Sequence, residues 1–168
     1  ELRSAADERI LHYRARASFA PQTPPRRDDE LYLSPFAGSA YEGDALFHGP
    51  RFEVIKAVHG SSDAGMTAVV VGSEDMAWPD GPWLTDPAAF DGALQMAILW
   101  ASLQLGGQSL PTALGAFRHY AKLPTGPLQV TLIGTTEGGV KTTSDITFCD
   151  RDGQLLARLE GVETHKRP

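Results

Sequence analysis

The sequence predicts an α+β fold in which a curved antiparallel sheet wraps one long helix. Three observations carry that expectation. An apolar stretch of helical length runs from Pro87 to Leu105, a strand pair precedes it, and four strand-like segments with short, turn-rich separators follow it. A helix that is apolar nearly all round must be enclosed, and antiparallel strands on both sides of it in sequence are the material to enclose it. At 168 residues with 42% apolar content and 21% charge, the chain suits a single domain with a real core.

The elements follow in chain order. Glu1 to Asp7 has no secretory or transit pattern, and a chain that starts at Glu1 reads as a piece of something longer. Arg9 to Ala20 alternates well enough for a strand, through Ile10, Leu11, Tyr13, Ala15, Ala17 and Phe19. Pro21 to Glu30, with Pro24-Pro25 among charges, reads as a linker, which makes 1–30 the remnant last strand of a preceding unit plus that linker, and 31–168 the domain proper. Leu31 to Asp44 is expected to be loop with short extended or helical pieces. Phe52 to Val58 and Met66 to Gly72 are the paired strands, joined as a hairpin across Gly60 to Gly65.

After a Trp/Pro-rich loop at 78–83, Asp86 caps the helix and Pro87 takes its first position, where a missing amide proton costs nothing. Phe90, Leu94, Ala97, Ile98, Ala101 and Leu105 keep the spacing of a buried stripe, and Gly106-Gly107 ends it. Ala113 to Tyr120, Leu128 to Thr135, Val140 to Cys149 and Gln154 to Val162 then read as a four-strand meander. A sheet closed around one helix in this way is the hotdog architecture.

Two polar residues, Asp91 and Gln95, stand in the first half of the apolar helix. Asp91 and Gln95 are one turn apart and so lie on one face. A carboxyl group and an amide are costly to desolvate unpartnered, so their presence on the inward side calls for chemistry or for bonds to neighbouring backbone. A membrane-spanning reading is rejected, because both would lie within the bilayer and no basic flank follows. The formal charge of −6, with no basic cluster larger than Arg26-Arg27, argues against nucleic acid as a partner. The single cysteine, Cys149, rules out an internal disulfide framework and fits a reducing cytoplasm.

Three stretches resemble the C-terminal half of the dehydratase domains of polyketide synthases and polyunsaturated fatty acid synthases, which are double hotdogs. Leu46-Phe47-His48-Gly49-Pro50-Arg51-Phe52 resembles their aromatic-Gly-Pro-x-Phe signature, Pro87 through Asp91 to Gln95 their Pro-x-x-x-Asp-x-x-x-Gln/His motif, and Leu110-Pro111 their strand entry. The order and intervals agree over about Tyr41 to Val162. The resemblance implies elimination of water from a β-hydroxyacyl group carried on the phosphopantetheine of an acyl carrier protein, with no other cofactor and no metal. It implies Asp91 as the acid that protonates the departing hydroxyl, and Gln95 as a group that orients Asp91 or holds that hydroxyl. Burial beside Phe90 and Leu94 favours a protonated Asp91, while the nearby helix start favours the ionised one.

The same resemblance puts His48, Gly49, Pro50 and Phe52 beside the substrate, with Gly49-Pro50 lining an acyl tunnel and Phe52 packed beneath. His48 stands where many family members have tyrosine, and Tyr41 is the nearby candidate to substitute for it. The family's catalytic base belongs to a His-x-x-x-Gly-x-x-x-x-Pro motif in the first hotdog, and none of the five histidines has that context. An N-terminal hotdog half or a second copy of the chain is therefore the expected partner. The alternatives are a non-catalytic pseudo-dehydratase and a hotdog acyl thioesterase. Arg51, Lys56, Arg118 and Lys122 are candidates for a positive patch facing an acidic carrier protein. No Gly-x-Ser-x-Gly elbow, no Gly-x-Gly-x-x-Gly after a strand and no paired-histidine metal spacing occurs.

Overall fold

A computed structural model describes residues 1–19, 24 and 31–167. Its core is a seven-stranded antiparallel sheet in the order β3-β4-β5-β7-β8-β9-β6, curved around the helix α1. The strands are β3 (Ser34–Pro35), β4 (Ile55–Ser61), β5 (Gly65–Val70), β6 (Ser109–His119), β7 (Leu128–Glu137), β8 (Lys141–Cys149) and β9 (Leu155–Lys166), and α1 spans Pro87–Leu105. The helix touches every strand from β4 to β9. This is the predicted hotdog arrangement.

The ends of α1 form as the sequence predicts. The Asp86 carboxylate accepts from the Ala89 amide, and Gly106, in the left-handed region at φ 66°, donates its amide to the Ser102 carbonyl. Met96, Trp100, Ala93 and Ala97 on the helix meet the inward side chains of the sheet, among them Val70, Leu132, Ile146, Phe148 and Leu159, in one buried core. Strand β8 alternates as a one-sided strand must: Thr142, Ser144, Ile146 and Phe148 face the helix, and the residues between them are partly exposed. The partly exposed residues in the first two turns of α1, Pro87, Phe90, Asp91 and Leu94, share one stripe. Gly92, on the opposite side, lies against Val70 and Val54.

Four expectations need correction. The four downstream segments do not form a simple meander. β7, β8 and β9 do, but β6 pairs with β9 at the sheet edge, and β7 takes β5 as its other neighbour. Pro124-Thr125-Gly126 is therefore part of a crossing segment rather than a hairpin turn. That segment is held by Tyr120 and Ala121, whose amides both donate to the Leu156 carbonyl. Pro111 is compatible with β6 because an edge strand has one unpaired side and a bulge follows it.

Within the strand expected over 9–20, the described residues form only β2 (Leu11–Tyr13), which among them pairs with β1 (Leu2–Arg3) in a separate two-stranded ribbon. Ile10 and Phe19 are exposed, so the alternation that suggested a longer strand has no core to face. The strand expected from Phe52 begins only at Ile55, because Pro50–Phe52 forms a 3-10 turn closed by the Phe52 amide on the Gly49 carbonyl. Finally, Gly60 and Gly65 lie within β4 and β5, and the hairpin turn between them is closed by the Ser62 amide on the Gly65 carbonyl. The proposed linker at 21–30 lies, apart from Pro24, outside the described residues.

Among the described residues no helix is long and apolar enough to cross a membrane.

Candidate active site

Asp91 and Gln95 project from the second and third turns of α1 toward the segment that leads into β4. Gln95 is completely buried, and its amide meets three other groups. Its Nε2 donates to Asp91 Oδ2 at 2.7 Å and to the Phe52 carbonyl at 2.8 Å. Its Oε1 accepts from the Tyr41 hydroxyl at 2.7 Å. The Tyr41 oxygen in turn accepts from the Ile55 amide at 2.9 Å. A half-buried carboxyl group is thus the end of a continuous chain of hydrogen bonds whose other members are fixed by backbone. Burial pushes the Tyr41 phenol up to about 12, the Ile55 bond opposes that shift, and the charges of Glu53 and Asp91 add to it. Tyr41 therefore stays protonated, and a donor, at neutral pH.

Local structure explains why these groups meet. The 3-10 turn at Pro50–Phe52 directs the Phe52 carbonyl toward the helix, and the chain straightens into β4 immediately after it. The Trp78 indole Nε1 donates to the Arg51 carbonyl at 2.8 Å and so pins the turn from outside. At the helix start, both oxygens of Asp86 accept from the Ser73 amide, which ties the end of β5 to the first turn of α1.

The predicted site residues separate into two groups. Asp91, Gln95 and Tyr41 are brought together, and Phe52 joins them through its backbone. The Phe52 ring does not pack beneath the loop; it is 47% exposed and meets Trp78 edge-on at 5.0 Å. Gly49 and Pro50 lie on the exposed turn. His48 stacks on Phe47 with ring centroids 4.6 Å apart, and its Nδ1 is buried without a hydrogen-bond partner. The Tyr41 hydroxyl is engaged by Gln95 and Ile55. The roles of the Phe52 carbonyl and the Ile55 amide have no sequence signal, since every residue carries those groups.

Two clefts lie elsewhere. One of about 270 Å³ is on the outer face of β7, β8 and β9, beside Thr131, Asp145 and Arg158. The other, of about 290 Å³, lies between residues 38–40 and 55–58. Neither includes Asp91 or Gln95. Arg118 is paired with Glu160 at 2.9 Å, and Lys56 donates to the Glu53 carbonyl, so both are already engaged locally. Among the described residues no group of three or more His, Cys, Asp or Glu side chains is placed to hold a metal ion.

Solved structures share this fold. GphF dehydratase 1 superposes with a TM-score of 0.60 at 17% identity, covering 82% of this chain and 54% of its own. The dehydratase domain from the CurJ module of the curacin polyketide synthase gives 0.55 at 21% identity, covering 71% and 43%. AziG from S. sahachiroi gives 0.53 at 18% identity, covering 66% of this chain and 89% of its own. The chain thus spans about half the length of the first two dehydratases. No curated protein matches it. The family described as "Polyketide synthase dehydratase N-terminal domain" matches residues 17–167, nearly the whole chain. A one-helix hotdog with an acid and a buried amide on that helix, matched over this length, belongs to the polyketide synthase dehydratase family.

Proposed function

We propose that this chain is the acid-bearing hotdog of a β-hydroxyacyl dehydratase, the C-terminal half of a double hotdog, acting on a substrate carried by an acyl carrier protein. The matched family is described by its N-terminal domain. The assignment to the other half rests on the Asp91 and Gln95 motif, the loop at 46–52 and the absence of the His-x-x-x-Gly-x-x-x-x-Pro motif. The observation that carries the reading is the bond from a fully buried Gln95 to Asp91, which holds one carboxyl group at the partly open stripe of the helix.

In this reading a histidine from the companion half or a second copy removes the α-proton. The electrons of that C–H bond form the new double bond, and the β-carbon to oxygen bond breaks. Asp91 gives its proton to the departing hydroxyl, which leaves as water, so the carboxylate and imidazolium remain and exchange a proton to reset. A companion lying against the stripe of Pro87, Phe90, Asp91 and Leu94 would complete a dry channel that one half leaves open.

The test is product identity. The protein that carries this domain, together with its companion half, is given a β-hydroxyacyl thioester on a carrier protein, and the products are read by mass spectrometry. Loss of the mass of one water with the thioester intact is the expected outcome. Release of the free hydroxy acid would replace the reading with a thioesterase, and an unchanged thioester would leave a non-catalytic binding domain.

A further inference from the structure

The Gln95 amide is held in one orientation by groups that cannot reverse their roles. The Phe52 carbonyl only accepts, so the atom 2.8 Å from it must be the amide nitrogen. At the other end the Ile55 amide only donates, so it occupies an acceptor site on the Tyr41 oxygen and the single Tyr41 proton points to Gln95 Oε1, 2.7 Å away. A flipped amide would set its oxygen against both the Phe52 carbonyl and Asp91 Oδ2, on a side chain that is itself fully buried. The nitrogen that bonds Phe52 therefore gives its second proton to Asp91 Oδ2.

We propose that Tyr41 is a positioning residue that acts through Gln95 to keep Asp91 Oδ2 an acceptor, so that a proton on this carboxyl group resides on Oδ1. The proposal rests on the reading of Asp91 as the acid and goes beyond it. It assigns the proton to one oxygen, and it moves Tyr41 from the substrate side to the support of the site. Removing the hydroxyl leaves Gln95 Oε1 and the Ile55 amide without partners and frees the amide to rotate away from Asp91. The proton on Asp91 is then no longer confined to one oxygen, and transition-state protonation suffers while substrate binding does not.

Steady-state kinetics of the complete protein on a β-hydroxyacyl carrier-protein thioester tests this. Tyr41→Phe is expected to lower kcat about 10- to 100-fold, the size of a small misplacement of a reacting group, and to leave KM within about twofold. In a Gln95→Met background the same change should cost less than about twofold more, because its intermediary is gone. An unchanged kcat, a rise in KM alone, or the full loss repeated in the Gln95→Met background would overturn the proposal.

If Tyr41→Phe lowers the melting temperature below the assay range, Gln95→Glu carries the test. It keeps an acceptor for Tyr41 but has no amide donor for Asp91, and undiminished kcat in that variant would equally overturn the proposal. Asp91→Asn separates the two levels. If it retains water loss, the acid assignment fails; if it is inactive while Tyr41→Phe equals wild type, only the positioning role fails.

Discussion

In its first three turns α1 is tied to the rest of the molecule by directed bonds: Asp86 to Ser73, Gln95 to Phe52 and Tyr41, and Asp91 through Gln95. From Met96 onward packing covers most of the helix. Met96, Ile98, Leu99, Trp100 and Ala101 are buried, and the directed bonds at this end run to backbone carbonyls: the Trp100 indole and the Gln104 amide to Ser62, the Ser109 hydroxyl to Ile98 and the Lys166 ammonium to Leu105. Packing tolerates small displacements at small cost, whereas hydrogen bonds between buried groups fix position and polarity and are expensive to leave unmade. The half of the helix that carries Asp91 is held by bonds among side chains as well as backbone, and the other half is mostly enclosed by apolar side chains.

Substitutions at the two ends should separate these contributions. Trp100→Ala is expected to have the largest effect on stability, about 3–5 kcal/mol, because it empties a completely buried volume. Chemical denaturation would measure it, and a loss below 1 kcal/mol would mean that the packed end is not the source of stability. Gly92→Ala comes next. Its Cβ would lie 2.5 Å from Val70 Cγ1 and 3.0 Å from Val54 Cγ2, so about 1–3 kcal/mol of overpacking is expected. That change also displaces the turn bearing Asp91, so turnover should fall further than the stability loss alone explains.

The expectations that the structure upholds are those in which local chemistry and tertiary packing agree. Asp86, Pro87 and Gly106 mark the helix ends because capping is decided by adjacent residues. The position of β6 is not legible in this way. Strand pairing at the sheet edge is a long-range choice, and nothing in Ala113 to Tyr120 distinguishes β9 from β7 as a neighbour. At the site, Asp91 and Gln95 stand out because polar residues in an apolar helix are conspicuous, whereas the bond from Tyr41 spans 54 positions in the sequence. The exposed Phe52 ring shows the limit from the other side, since the sequence suggests a buried aromatic and the site uses the backbone carbonyl of the same residue.

Two smaller effects complete the comparison. Asp86→Ala should cost about 1–2 kcal/mol, the usual value of an N-cap, with an increment from the stranded Ser73 amide. Its signature would be faster amide exchange confined to the first turn of α1. The titration of Tyr41 should make the smallest contribution to stability, and it acts in alkali. Its phenol is raised to about 12 in the folded chain against an ordinary value near 10, so the folded state holds its proton where the unfolded state has lost it. The stability this contributes is fully present below about pH 10 and is lost as pH rises toward 12. Tyr41→Phe should flatten that part of the stability profile, and an unaltered slope would contradict the burial assigned to the hydroxyl.

The measurement that reaches furthest is the rate of water loss by the complete protein carrying Asp91→Asn. This substitution keeps the size of the side chain and removes its acid. A fall of about 100- to 10,000-fold in kcat, with a melting temperature close to that of the unaltered protein, is the expected result. Enoyl product formed at the original rate would contradict the central claim that this carboxyl group delivers the proton.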